Sequence, residues 1–121
     1  MNWITWVVIG VIVLGLFLLK RSSFVSHAEA KSLLARGARI IDVRTEAEYK
    51  SGHLAGAVNI PLDDIRESIA RAVPDTQTPL LLHCAGGVRS GMAKRILKQM
   101  GYANAHNLGS YSRAAAIADA R

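Results

Sequence analysis

Leu80-Leu81-Leu82-His83-Cys84-Ala85-Gly86-Gly87-Val88-Arg89-Ser90-Gly91 is the stretch on which the reading of this 121-residue chain turns. The apolar run Leu80 to Leu82 follows Pro79 and predicts a short buried strand. The chain's single cysteine follows, then two glycines, an arginine and a serine. Beyond them Met92, Ala93, Ile96, Leu97 and Met100 recur at helical spacing, with Lys94, Arg95 and Lys98 on the other face. Gly101 stands where a left-handed helix cap is expected. Strand, tight loop and helix N-terminus follow one another, with a thiol at the start of the loop.

Such an arrangement suits a thiolate. A thiol attacks as its anion, and an unperturbed pKa of about 8.5 leaves little anion near neutrality. Backbone N–H groups turned inward at Gly86 and Gly87 can hydrogen-bond an anion, because glycine adopts positive φ without steric cost. A helix starting near Ser90 adds roughly half a positive charge at its open end. Arg89 adds a permanent cation on the same loop. A buried, inert cysteine is the alternative. Strand, glycine pair, arginine and helix start coinciding at one place argue against it.

Outward from this loop the chain alternates between two periodicities. Ser26 and Glu29 have capping-box spacing ahead of a short helix carrying Ala30, Leu33 and Leu34 and ended by Gly37. Ile40 to Val43 predicts a strand, and Thr45 with Glu48 repeats the capping-box spacing before a second short helix. Ala57 to Ile60 predicts a strand stopped by Pro61, and Ile65, Ile69 and Val73 mark a helix closed by Pro74. Ala103 to Leu108 and Tyr111 to Ala118 predict the last strand and the last helix. Strands alternating with helices specify an α/β fold with a mostly parallel sheet flanked by helices. Ligands of such sheets bind beyond the carboxyl ends of the strands, where Cys84 falls.

At these residues the chain resembles the rhodanese-like family, whose active loop joins a cysteine, a glycine-bearing turn and a helix start. Ile40-Ile41-Asp42-Val43-Arg44, then Glu48-Tyr49, then Gly52-His53-Leu54-Ala55-Gly56-Ala57-Val58-Asn59-Ile60-Pro61, resemble that family's two amino-terminal signatures, in order. The likeness runs from Phe24 to Ala118. It implies a sulfurtransferase. Cys84 takes the outer sulfur of a small anionic donor such as thiosulfate, and the persulfide then passes its sulfur to a thiophilic acceptor such as cyanide or a thiol. The resemblance also implies that the backbone of Ala85, Gly86, Gly87, Val88 and Ser90 binds the substrate sulfur, and that Arg89 orients the donor's sulfonate oxygens. No metal or organic cofactor is called for.

By the same likeness Asp42 and Arg44 are scaffold, as buried charges must be paired, and His53 is structural. His83 is disfavoured as a base for Cys84, since successive strand residues point to opposite faces. The chain departs from the family in two places. Leu108-Gly109-Ser110-Tyr111 stands where many relatives have a glycine pair and a tryptophan, and the loop carries a single cation, Arg89. A Cys-based phosphatase or arsenate reductase of the Cys-x5-Arg kind is a competing reading. Here only four residues separate Cys84 from Arg89, a loop too short to surround a phosphoryl group. A non-catalytic interaction module, or a sulfur carrier working between proteins at a membrane, are two further alternatives.

The formal charge is +6, and leaving out Lys20 and Arg21 it is +4, dispersed without a basic run. That excludes a nucleic-acid surface and accords with an anionic substrate. A lone cysteine forms no internal disulfide, and no Cys/His pair has metal-site spacing. Residues 1–21 form the second unit beside a domain at 22–121. Trp3 to Leu19 is apolar but for Thr5 and two glycines, with Trp3 and Trp6 at one end and Lys20-Arg21 at the other. This predicts an uncleaved transmembrane anchor at the short limit of length. A cleaved signal peptide would carry its positive charge first. The basic flank places the domain on the cytoplasmic side of the inner membrane, close to its surface behind a Ser22-Ser23 linker.

Overall fold

Four short segments carry the sheet of the computed structural model, which describes residues 2–21 and 24–119. They are β1 (Arg39–Asp42), β2 (Val58–Asn59), β3 (Leu80–His83) and β4 (Ala105–Gly109), all parallel, in the order β2-β1-β3-β4. β3 lies inside the sheet with every residue buried. A strand covered on both faces has no polar side to show, which is why its sequence is an unbroken leucine run.

The side-chain period of two then divides the core. Ile41, Leu80 and Leu82 point to one face, against Ile65 and Ile69 of α4 (Ile65–Ala72) and Ala93 and Leu97 of α5 (Val88–Gln99). Ile40 and Leu81 point to the other, against Leu33 and Leu34 of α2 (His27–Ala35) and Ala114 and Ile117 of α6 (Tyr111–Asp119). Each fully buried Leu or Ile stabilises this layering by roughly 1.5–3 kcal/mol. Tyr102, buried in the first layer, donates its hydroxyl to Val73 O at 2.7 Å and ties the end of α4 to the turn after α5.

Local signals place the helices. Ser26 Oγ accepts from Glu29 N at 3.1 Å at the start of α2. Thr45 and Glu48 form a complete capping box at α3 (Glu46–Ser51). Gly101 closes α5 with φ of 100°. Two details of α5 differ from the expectation. The helix begins at Val88 rather than near Ser90, because Gly87 in the left-handed region turns the chain in one step. Met92 is 49% exposed, because the sheet-facing row of α5 runs through Ser90, Ala93 and Leu97.

The pairing of β3 with β4 shifts register between Leu82 and His83, so that His83 lies opposite Gly109. Gly109 O thereby accepts from Cys84 N at 3.2 Å. That bond holds the first loop residue at the sheet's carboxyl edge.

The amino-terminal apolar segment is a helix, α1 (Trp3–Arg21), in place of the expected transmembrane anchor over residues 1–21. Among the described residues no helix is long and apolar enough to cross a membrane. At about 1.5 Å per residue the 19 residues of α1 reach about 28 Å, at the short limit for a hydrocarbon core of about 30 Å. The Ser22-Ser23 linker lies outside the described residues.

Candidate active site

Cys84 leaves the carboxyl end of β3 almost fully buried, 1% exposed. Its Sγ accepts from Gly87 N at 2.9 Å, and Ser90 Oγ lies 3.5 Å away. Burial pushes the thiol's pKa up. The Ser90 hydroxyl and the N–H groups of Ser90, Gly87 and Gly86 outweigh it, and the pKa lies below that of an ordinary cysteine. Of the expected glycine pair Gly87 alone adopts positive φ, and the Ser90 hydroxyl does more for the anion than either glycine N–H.

The loop is itself held from several sides. Gly87 is left-handed, with φ of 100° and ψ of −8°, and its carbonyl accepts from Asn107 Nδ2 at 3.0 Å. Asn107 Oδ1 accepts from Ser90 Oγ at 2.7 Å and from Gly109 N at 3.0 Å. One buried amide therefore orients both the turn and the hydroxyl that faces the sulfur. Gly86 bridges to Ser110, and Tyr111 N donates to Ala85 O at 3.3 Å. Val88 follows, 75% exposed, at the first turn of α5.

Arg89 has a partner that the sequence reading did not identify. Its Nη1 donates to Glu48 Oε1 at 2.6 Å and its Nη2 to Glu48 Oε2 at 3.0 Å, a two-pronged pair. Arg89 and the capping-box N–H of Thr45 hold the Glu48 carboxyl at a pKa of about 2. The guanidinium is raised in turn, by Glu48 first and by the sulfur of Cys84 as well. Arg89 thus lies within electrostatic reach of the thiolate with part of its fork already engaged.

Asp42 and Arg44 form the expected scaffold beneath the loop. Asp42 accepts from Arg44 N at 3.0 Å and from Arg44 Nη2 at 2.7 Å, and Arg44 Nη2 also reaches Gly52 O at 2.7 Å. Arg44 lies over the Tyr111 ring at 4.6 Å. His83 turns away from the sulfur, with Nδ1 3.3 Å from Cys84 O, Nε2 3.6 Å from Asp42 Oδ2, and the ring edge-on to Tyr111. Burial pushes the imidazole below its ordinary range, against the opposing pull of Asp42. His53 stacks on Tyr49 at 3.7 Å with Nδ1 2.8 Å from Tyr49 O, an exposed structural contact.

The structure brings Gly86, Gly87, Ser90 and Arg89 toward the Cys84 sulfur, while Ala85 and Val88 belong to the same loop without a hydrogen bond to it among the described residues. It adds Glu48, Asn107 and Phe24, which the sequence reading passed over. Glu48 had a sequence signal, but one wholly explained by helix capping. On the outer side of the loop an open groove of about 600 Å³ is lined by Phe24, Gly86, Gly87, Met92, Lys94 and Lys98 among others.

A model of the rhodanese-like domain family matches residues 26–115. Thiosulfate sulfurtransferase PspE of Escherichia coli K12 is 46% identical over 69 residues, 57% of this chain. The match spans 66% of that relative, just under two thirds of its length. A solved rhodanese with anions from E. coli superposes with a TM-score of 0.62 at 42% identity, covering 64% of this chain and 91% of that one. The human single-domain sulfurtransferase TSTD1 gives a TM-score of 0.63 at 30% identity, covering 75% and 93% of the two chains.

Proposed function

This chain belongs to the rhodanese-like family, and from that membership we propose that it is a sulfurtransferase that carries a sulfane sulfur on Cys84. The observation that carries this reading is the sulfur's surroundings: Gly87 N–H at 2.9 Å and the Ser90 hydroxyl at 3.5 Å. Donors aimed at a buried sulfur stabilise an anion there, first as thiolate and then as persulfide.

The reaction has two displacements. The Cys84 thiolate attacks the outer sulfur of thiosulfate, a bond forms between Sγ and that sulfur, and the donor's own sulfur–sulfur bond breaks. The bonding pair leaves on sulfite. An acceptor thiolate or cyanide then attacks the outer persulfide sulfur, and the pair of the breaking bond returns to Sγ. No net redox equivalent is consumed. Inward N–H groups from Ala85 to Ser90 hold the outer sulfur between the two steps. Arg89 gives one N–H from each terminal nitrogen to Glu48. Its remaining N–H groups orient the donor's sulfonate oxygens. The four residues between Cys84 and Arg89 favour a single sulfur atom over a tetrahedral phosphoryl group.

The test is sulfite release from thiosulfate, with cyanide as acceptor, by the parent and by Cys84→Ser. Parent turnover that the serine variant lacks supports the reading. A parent that binds a protein partner but releases no sulfite leaves the interaction module in its place.

For location we propose that α1 associates the domain with the cytoplasmic face of the inner membrane. Trp3, Trp6, Val11, Leu14 and Phe17 all stand more than half exposed around the helix. A helix apolar all round is otherwise found buried in a core or in lipid. Lys20-Arg21 follow it. A membrane-impermeant thiol reagent that labels Cys84 only after cell lysis supports this placement. Labelling in intact cells overturns it.

A further inference from the structure

Phe24 stands between the amino-terminal helix and the domain, and its ring touches the active loop. A methyl group built on Gly87 would lie 2.8 Å from Phe24 Cζ and 3.0 Å from Cε1. One built on Gly109 would lie 3.6 Å from Cδ2 and 3.7 Å from Cε2 of the same ring. The ring therefore packs over two left-handed glycines, with φ of 100° and 102°. Both are bonded to Cys84. Gly87 N donates to Sγ, and Gly109 O accepts from Cys84 N.

The ring is itself fixed. Arg113 lies 5.4 Å from its centroid and donates to Leu108 O and Val25 O on either side. Val25 N donates to Asn107 O at 2.9 Å, docking the segment along β4. Phe24 is half-buried and stands outside both core layers. Its contacts are with the loop rather than with the hydrophobic interior.

We propose that Phe24 is a positioning residue for the sulfur-transfer reaction: its ring clamps Gly87 from one side while Asn107 holds the Gly87 carbonyl from the other, fixing the Gly87 N–H on Cys84. Glycine crosses φ/ψ space freely, so without the ring Gly87 samples other conformations against only the Asn107 Nδ2 and Gly91 N hydrogen bonds to its carbonyl. Its N–H then leaves the sulfur, and the thiolate loses a charge-assisted hydrogen bond. Removal of the ring frees the loop without touching the reacting atoms. The inference rests on the thiolate reading of Cys84.

The experiment is the pH dependence of Cys84 alkylation by iodoacetamide, with no sulfur donor, in the full chain and in Phe24→Ala, Phe24→Leu and Phe24→Tyr. The expected result for Phe24→Ala is an upward shift of the inflection by about 1 unit, or about tenfold slower alkylation below it. Phe24→Tyr, which keeps the ring, stays at the parent's inflection. A Phe24→Ala inflection equal to the parent's overturns the proposal, whatever happens to its melting temperature. Should Phe24→Ala not fold, Phe24→Leu decides: a raised inflection supports the clamp and a parental one overturns it. Sulfite release by the same proteins separates the two claims. A parent with a lowered inflection but no sulfite release sinks the sulfurtransferase reading and leaves the clamp standing.

Discussion

Replacement of Ser90 by alanine isolates one arm of the cradle. The Ser90 hydroxyl lies 3.5 Å from Cys84 Sγ and 2.7 Å from Asn107 Oδ1. That hydroxyl has one proton, which can go to only one of the two, and an anionic sulfur competes for it more strongly than a neutral thiol. A hydrogen bond to a charged group contributes about 1.5–3 kcal/mol. A 3.5 Å contact to sulfur belongs at the low end of that range. At 1.36 kcal/mol per unit this predicts that Ser90→Ala raises the Cys84 pKa by about 1 unit. The thiolate fraction falls about tenfold below the parental pKa and not at all well above the variant's. Asn107 Oδ1 keeps Gly109 N as a donor at 3.0 Å, so the fold loses only about 1 kcal/mol. The assay is the alkylation rate against pH, beside urea unfolding. A raised inflection with a nearly parental urea midpoint is the expected pair. An unmoved inflection would refute the assignment of the hydroxyl to the sulfur. The Glu48 carboxyl, held at a pKa of about 2, stays ionised throughout this range. Any stability it contributes through Arg89 is present above its unfolded pKa, near 4.3, and is lost only as pH falls through about 2. Glu48 therefore does not contribute to the inflection of the alkylation profile.

Arg89→Ala should raise the Michaelis constant for thiosulfate more than it lowers turnover, and Arg89→Lys should recover only part, because an ammonium lacks the planar fork. Steady-state kinetics check this, and an unchanged constant in the alanine variant assigns donor orientation to the backbone. Asp42→Ala leaves the buried Arg44 unpaired and should destabilise the fold by about 3–5 kcal/mol in urea unfolding. Its alkylation inflection should stay parental, because the pair supports the loop without touching the sulfur. One residue inserted between Val88 and Arg89 widens the ring of N–H groups. Sulfite release should fall, and parental activity in the insertion variant would remove loop size as the basis of selectivity.

Local patterns made much of this molecule legible. The leucine run Leu80 to Leu82 marks a strand covered on both faces, the Thr45–Glu48 spacing marks a helix start, and Gly101 marks a helix end. The loop was legible for the same reason, since its thiol, its N–H donors and its helix all lie within a few residues. The partners that complete the site were not. Glu48 meets Arg89 across 41 positions, and Asn107 meets Ser90 across 17. No short-range periodicity carries such a pairing. The clamp at Phe24 depends on the register shift at His83, which brings Gly109 beside the loop. α1 poses a different difficulty. Its apolar composition states that the helix avoids water without stating what covers it.

The most direct measurement of the central claim is the intact mass of the protein after incubation with thiosulfate, followed by mapping of the modified peptide. The account predicts a gain of one sulfur atom on Cys84, lost on addition of cyanide and absent from Cys84→Ser. An unchanged mass under conditions in which the thiol still reacts with iodoacetamide would contradict it.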